Sequence, residues 1–259
     1  MSSYIGRYAD LYDIFYADKP YTEEAVFIHL CLQQYGVGET HRLLELACGT
    51  GTHALALEKM GYKIVAIDCS EDMLACARAK ASQVSSSIDF RRQDMRKLDI
   101  SGEPFDAVIC LFDSMGFVKT NEAIKKAFRG VYHNLRPDGL FVFEFWHAAA
   151  MLRSYDPVRI RRWSISEGEL VRISETELDC SKQLAKVIYT IYSLNNDGTY
   201  TSLRETQTNR YFLIQEMASL LSSCGLTPLK WFAGYALDEN ITEKTWHIVA
   251  VARKEKKYQ

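Results

Sequence analysis

The chain has 259 residues, 47% hydrophobic and 25% charged, a composition of the globular kind. Its 31 Lys and Arg stand against 33 Asp and Glu, so a net charge of -2 leaves no cationic surplus for a phosphate backbone or an anionic bilayer. Nucleic acid and membrane surfaces are therefore not expected partners, and the apolar stretch Gly139 to Leu152, interrupted by Glu144 and His147, is too short to cross a layer about 30 Å thick.

In chain order, residues 1–40 read as helical and rich in aromatics. Tyr4, Tyr8, Tyr12 and Tyr16 recur four apart and so share one helical face. Such a stripe anchors a helix on the core, or else the helix is a lid with Tyr16 and Tyr21 at its working end. Arg7 and Asp10 among these tyrosines do not make a secretory signal. From Arg42 to Trp146 short apolar runs alternate with helical patterns, the mark of a parallel sheet with crossover helices. Leu43 to Leu46 is the first strand, and a helix from Thr52 to Met60 follows Gly49 and Gly51. Lys63 to Ile67 is the second strand, ending on Asp68, and Ser70 caps the next helix with Met73, Leu74 and Ala77 facing inward. Ile88 to Arg91 and Ala107 to Phe112 are the third and fourth strands. After a helix from Asn121 to Leu135, the turn Pro137-Asp138-Gly139 leads into a fifth strand, Leu140 to Phe145.

Beyond Trp146 the period changes to 2. Ile160 to Ile165, Glu169 to Leu178, Leu184 to Leu194 and Tyr200 to Phe212 read as antiparallel strands separated by turn residues. A helix from Gln215 to Cys224 with Gly225 at its end, then strands Thr227 to Phe232 and Thr245 to Val251, restore the first pattern. The expected organisation is a helical N-terminal lid at 1–40, a core at 41–150 and 213–255, and an antiparallel β insertion at 151–212. Seven scattered cysteines without a Cys-x-x-Cys pair fit a reduced, cytoplasmic chain. No metal site is expected, since neither histidines nor carboxylates recur at ligand spacing.

Chemistry concentrates at Glu45-Leu46-Ala47-Cys48-Gly49-Thr50-Gly51-Thr52, between a strand and a helix, where glycines let a ligand approach the backbone. Gly49-x-Gly51-x-x-Ala54 also matches a loosened dinucleotide fingerprint, with Asp68 about 20 residues on in the place of a ribose-binding acid. A nicotinamide oxidoreductase and an adenosine-binding transferase both fit this loop. Glu45 inside the strand, and later segments that build no second nucleotide half, separate them.

At this point the chain resembles the class I S-adenosylmethionine-dependent methyltransferases. Leu43 to Gly51 is similar to their first motif, Val65 to Leu74 to the second, and Gln93-Asp94-Met95 to the third. Phe105 to Phe112 and Leu135 to Leu140 resemble the fourth strand and the turn before the fifth. The likeness is greatest to small-molecule N-methyltransferases: Tyr12-Asp13-x-Phe15-Tyr16, Ala47 to His53 and Ser114 to Thr120 resemble nucleotide-linked amino-sugar N,N-dimethyltransferases, and Phe105 to Leu111 the glycine and sarcosine enzymes.

The resemblance implies an α/β fold with a Rossmann-like sheet, helices on both faces, and S-adenosyl-L-methionine as cofactor. It implies that Asp68 grips the ribose, Met73 flanks the adenine, Asp94 reads the adenine amino group and Glu45 organises the methionine end. Tyr16, Ala47, Cys48, Gly49, Gly51, Cys69, Met95 and Leu111 complete the expected cofactor set. Glu45 also reads as a simple cap on loop backbone, and Cys48 and Cys69 as packing residues.

Methyl transfer from a sulfonium is an in-line displacement that positioning accelerates, without a metal. His147, just beyond the fifth strand, is the expected base, with Tyr16 and Ser114 at the reacting groups. His53 and His133 read as structural. Tyr12, Tyr21, Asp113 and Trp146 are expected to face a small-molecule acceptor. The chain lacks the Asp/Asn-Pro-Pro-Tyr/Phe signature of nucleic-acid base methylation. Arg159, Arg161 and Arg162 hold an acidic acceptor or form a solvated strand edge. The expected activity is methylation of an amine on a small polar molecule such as a nucleotide-linked amino sugar. The alternatives are an O-methyltransferase with His147 as base, an NAD-dependent oxidoreductase, and a non-catalytic subunit. Strand edges in the insertion suit pairing as a homodimer.

Overall fold

The structure, a computed structural model, describes residue 4 and residues 6–255; residues 1–3 and 5 of the expected lid, and 256–259, lie outside these. Helices α1 (Arg7–Phe15) and α2 (Tyr21–Tyr35) precede a βα alternation of β1 (Arg42–Leu46), α3 (Thr52–Glu58), β2 (Lys63–Asp68), α4 (Glu71–Gln83), β3 (Asp89–Arg92), β4 (Phe105–Cys110), α5 (Asn121–Asn134) and β5 (Leu135–Trp146). A short α6 (Ala148–Ser154), absent from the sequence reading, leads into β6 (Val158–Ile165), β7 (Gly168–Asp179), β8 (Leu184–Asn195) and β9 (Tyr200–Arg210). The chain closes with α7 (Ile214–Ser222), β10 (Leu226–Ala233) and β11 (His247–Lys254).

The main sheet runs in the order β10-β11-β5-β4-β1-β2-β3. The five strands β1 to β5 are parallel, and β11 is antiparallel to both β5 and β10. Alternation along each strand divides the core between two faces. Leu44 and Leu46 join Phe141, Phe143 and Phe145 under α5 and α7. Leu43 joins Ile109 and Val142 under α2 and α3. Each of the three phenylalanines is fully buried, worth about 1.5–3 kcal/mol apiece.

The expected break at Pro137 is instead a bulge inside β5. Phe105 pairs with Leu135 and Ala107 with Leu140, so the intervening residues are extra on the β5 side. Pro137 lacks an N–H and Asp138 has φ 62, which fits a residue left out of the ladder. Strand β4 ends earlier than expected, because Phe112 and Asp113 turn to φ 54 and 55 and lift the chain off the sheet.

The second sheet, β6-β7-β8-β9, is wholly antiparallel. Helix α1 lies between it and α4, with Tyr8, Tyr12 and Phe15 packed against Met73, Leu170 and Ile191. The tyrosine stripe thus anchors the helix, while Tyr4 and Tyr12 also face a cavity. Among the described residues no helix is long and apolar enough to cross a membrane.

Candidate active site

The carboxyl ends of β1, β2 and β4 open into a cavity of about 580 Å³. Ala47 and Gly49 leave β1 with φ 52 and 56, so the backbone turns across the strand end. A Cβ on Gly49 would lie 3.2 Å from the Met73 methyl, which keeps this edge of the cavity bare. Asp68, at the end of β2, fixes the turn: Gly49 N–H donates to its Oδ2 at 2.9 Å and Ser70 N–H to its Oδ1 at 2.8 Å. Ser70 then caps α4 through Met73 N–H. Glu45 is fully enclosed, and burial, with the charge of Asp68, pushes its carboxyl up to about 8. Its Oε2 is buried without a partner.

Of the expected cofactor residues, Glu45, Ala47, Cys48, Gly49, Asp68, Cys69, Met73, Asp94, Met95 and Leu111 line this cavity, together with Tyr12, Tyr21 and Ser114. Gly51 and Tyr16 do not. Gly51 has φ 75 and a packing role, since a Cβ there would sit 2.9 Å from the Phe90 ring. Thr50, Thr52 and Phe117, which lie in the quoted motifs but were given no role, also line the wall, as does Thr206, which sequence reasoning missed. It missed as well the ties that close the wall: Thr50 Oγ1 donates to Asp13 at 2.7 Å, and Lys80 Nζ reaches Thr50 and Thr52 at 2.8 Å and Asp13 at 2.9 Å. These bonds join α1, the glycine loop and α4. His53, expected to be structural, also lines the cavity, with its Nε2 2.6 Å from Glu24.

A second cavity of about 670 Å³ lies beside the first, and Phe112 lines both. Tyr16 lines the second cavity, Tyr12 the first, and their rings are 4.8 Å apart; Tyr16 meets the Phe112 ring edge-on at 5.0 Å. Lys19 pairs with Glu24 and lies 4.7 Å from the Phe112 centroid and 5.0 Å from that of Tyr21.

Glu144 and His247 form one wall of this second cavity. His247 Nδ1 is 2.8 Å from Glu144 Oε1 and 3.0 Å from Asp113 Oδ2. Glu144 Oε2 accepts from Phe112 N–H and the Tyr235 hydroxyl, each at 2.7 Å. Asp113 is buried beneath the wall, and its Oδ1 has no partner. The charge of Asp113, joined by that of Glu144, raises His247 to about 11. Burial pushes Asp113 up to about 6, against the pull of the His247 cation. Glu144, equally buried, is held below the usual carboxylate range by the bonds it accepts. The sequence spacing showed no such cluster because its members come from three distant segments; the donor atoms lie within 4.8 Å of one another.

His147 needs correction. It lines neither cavity; its Nδ1 lies 3.1 Å from the Thr245 carbonyl, and burial lowers its affinity for a proton. The pleat explains this: Glu144 and Trp146 share one face of β5, and the next residue turns to the other. The pairing of His247 with Trp146 brings a different histidine to the Glu144 face. Trp146 also lines neither cavity, and packs with Tyr211 and Trp246.

A family model described as a methyltransferase domain matches residues 43–139. Over 84% of each chain the protein is 29% identical to the putative methyltransferase YqeM of Bacillus subtilis strain 168. Over 54% of this chain and 57% of the other it is 36% identical to the dTDP-3-amino-3,4,6-trideoxy-alpha-D-glucopyranose N,N-dimethyltransferase of Streptomyces venezuelae. The crystal structure of an S-adenosylmethionine-dependent methyltransferase from Clostridium acetobutylicum ATCC 824 has the same fold, with a TM-score of 0.82 at 22% identity over 96% of this chain and 98% of that one.

The first cavity fits that donor. It offers a carboxylate at the end of β2, an orphaned buried oxygen on Glu45, and a bare glycine edge between them. The chain carries a methyltransferase domain at residues 43–139 and shares the fold of S-adenosylmethionine-dependent methyltransferases.

Proposed function

We propose that this enzyme methylates an amine nitrogen on a small polar molecule, with a nucleotide-linked amino sugar as the favoured class. In this reading Asp68 holds the ribose hydroxyls, Asp94 the adenine amino group, and Met73, Met95 and Cys69 the adenine faces. Glu45 orders the glycine loop and the methionine end. Bound S-adenosylmethionine supplies a methyl group already activated by a sulfonium. The acceptor lies in the second cavity, and Tyr16 and Phe112 stand where the two meet.

The observation that carries the choice of amine is the clamped state of His247. A hydroxyl acceptor is activated by an unprotonated base, and among the described residues the imidazole on this cavity, His247, is held as a cation by two carboxylates. Glu144, Asp113 and His247 together carry net negative charge, which favours an ammonium ligand. Asp113, the acid with a free oxygen, lies behind this wall and lines neither cavity, so the proton an amine must lose reaches it only by way of His247. Ser114 lines the first cavity close to this exchange. Identity to an amino-sugar N,N-dimethyltransferase supports the same class. A homodimer through edge strand β6 belongs to this reading, supported by exposed Val158 and Ile160.

The test is an acceptor panel with S-adenosylmethionine, followed by mass spectrometry of the products. It contains a dTDP-linked amino sugar, glycine, and the corresponding hydroxyl compounds. Methylated amines with silent hydroxyl partners are expected. Equal or faster turnover of a hydroxyl compound would replace the amine reading with O-methylation.

A further inference from the structure

Arg172 is buried in the second sheet without a counter-ion. It is 5% exposed, and its Nε and Nη1 are enclosed with no hydrogen-bond partner. Its guanidinium carbon lies 4.9 Å from the ring centroid of Phe15, 5.0 Å from Trp163, 5.2 Å from Tyr189 and 5.5 Å from Tyr16. Ring faces ease the cost of burying a cation without neutralising it. Three of these rings, those of Phe15, Tyr16 and Trp163, line the second cavity, so the charge sits just behind its wall.

Across the β6–β7 ladder Arg172 pairs directly with Arg161, which also lines that cavity. Like charges directly opposite on one face are destabilising. The flanking arginines are each matched, Arg159 with Asp156 at 3.3 Å and Arg162 with Glu169 at 2.5 Å. Among the described residues neither Arg161 nor Arg172 has an acid within 4.0 Å. Two adjacent cations without counter-ions give this end of the cavity a positive potential, opposite in sign to the Glu144 wall.

We propose that Arg161 and Arg172 form an anion subsite, in which Arg161 contacts a carboxylate or phosphate carried by the methyl acceptor and Arg172 supplies uncompensated charge from behind. The acceptor is then dipolar, with its nitrogen toward Glu144 and its acidic group toward β6. This rests on the amine reading only for the placing of the nitrogen.

The test uses full-length protein saturated with S-adenosylhomocysteine at constant ionic strength. It is titrated by calorimetry with pyrophosphate, acetate and neutral acetamide. Saturable binding of an anion, with none of acetamide, is expected, and Arg161→Met should weaken it at least tenfold. Arg172→Met should do the same, and Arg172→Lys should restore much of the loss. Tighter pyrophosphate marks a phosphate-bearing acceptor, and tighter acetate a carboxylate-bearing one. Absence of saturable anion binding overturns the subsite, as does binding that Arg161→Met leaves unchanged. Arg161 is exposed, so that variant decides the matter even if the Arg172 variants fail to fold. No amine enters these titrations, so the subsite and the amine reading fail independently.

Discussion

Replacing Asp68 tests the donor site most directly. Each of its oxygens already accepts one backbone N–H, from Gly49 and from Ser70. One lone pair per oxygen is left, so at most two ligand hydroxyls bond to it. Hydrogen bonds to a charged acceptor are worth about 1.5–3 kcal/mol each, so Asp68→Ala should cost about 3–6 kcal/mol of donor affinity, roughly a hundred-fold to ten-thousand-fold in Kd. The same change strands two N–H donors at about 1–3 kcal/mol each, which lowers stability as well. Asp68→Asn separates the two effects, because it keeps the shape and one acceptor oxygen while losing the charge. Calorimetry with S-adenosylhomocysteine, beside a thermal melt of each variant, gives both quantities. A folded Asp68→Ala protein that binds within threefold of wild type would refute the placement of the ribose.

His147→Ala should change kcat/KM by no more than about threefold, because the side chain lines neither cavity, while melting reports the lost bond to the Thr245 carbonyl at about 1 kcal/mol. For His247 the folded proton affinity is raised to about 11. Its stabilising contribution is therefore fully present below about pH 6.5 and is lost as pH rises through about 11. Urea unfolding of His247→Gln should accordingly show its full deficit at and just below about pH 6.5, and converge on wild type in alkali. Glu45 also has a raised folded value, about 8, so wild type should lose stability relative to Glu45→Gln as pH climbs from about 4.5 to about 8; a wild type that instead holds or gains stability against the variant over that range would show that the acid is ionised. Gly51→Ala should destabilise by about 2 kcal/mol or more, from positive φ and the contact with Phe90, and chemical denaturation measures it.

The ties around Lys80 bear on how the donor enters. Asp13 on α1, Thr50 in the glycine loop and Lys80 on α4 meet through one ammonium group, and Tyr4 adds a second link where its carbonyl accepts from the Ser70 hydroxyl at 2.6 Å. Helix α1 therefore covers the first cavity by polar bonds at both ends, with its aromatic stripe packed on the second sheet between them. Polar bonds at a partly exposed edge open more readily than a buried aromatic face. These few bonds are therefore the ones expected to open first along α1, while the packing against the insertion holds the helix in place.

What was legible in the sequence follows from how the chain assembles each cavity. The first is built mostly from one run, Glu45 to Leu111, in which every strand end is followed at once by its turn, so local pattern and motif order sufficed. Ser70 as a cap and Asp68 at a strand end are local signals of that kind. The second cavity gathers Tyr16 from α1, Glu144 from β5, Arg161 from β6 and His247 from β11. Their meeting depends on which strands are neighbours and in what register. Because β11 returns antiparallel beside β5, its first residue arrives at the edge where β5 ends, opposite Trp146. No spacing in the chain encodes that arrival, and the eye falls on His147, next in sequence, when the pleat has turned it away. One signal was present all the same. A carboxylate inside Phe141-Val142-Phe143-Glu144-Phe145 cannot stay buried alone, so it required a cation or hydrogen-bond donors from elsewhere in the fold. The same reasoning applied to the lone arginine between Val171 and Ile173 points to the other end of the cavity, where no counter-ion stands among the described residues and the proposed acidic group of the acceptor is placed.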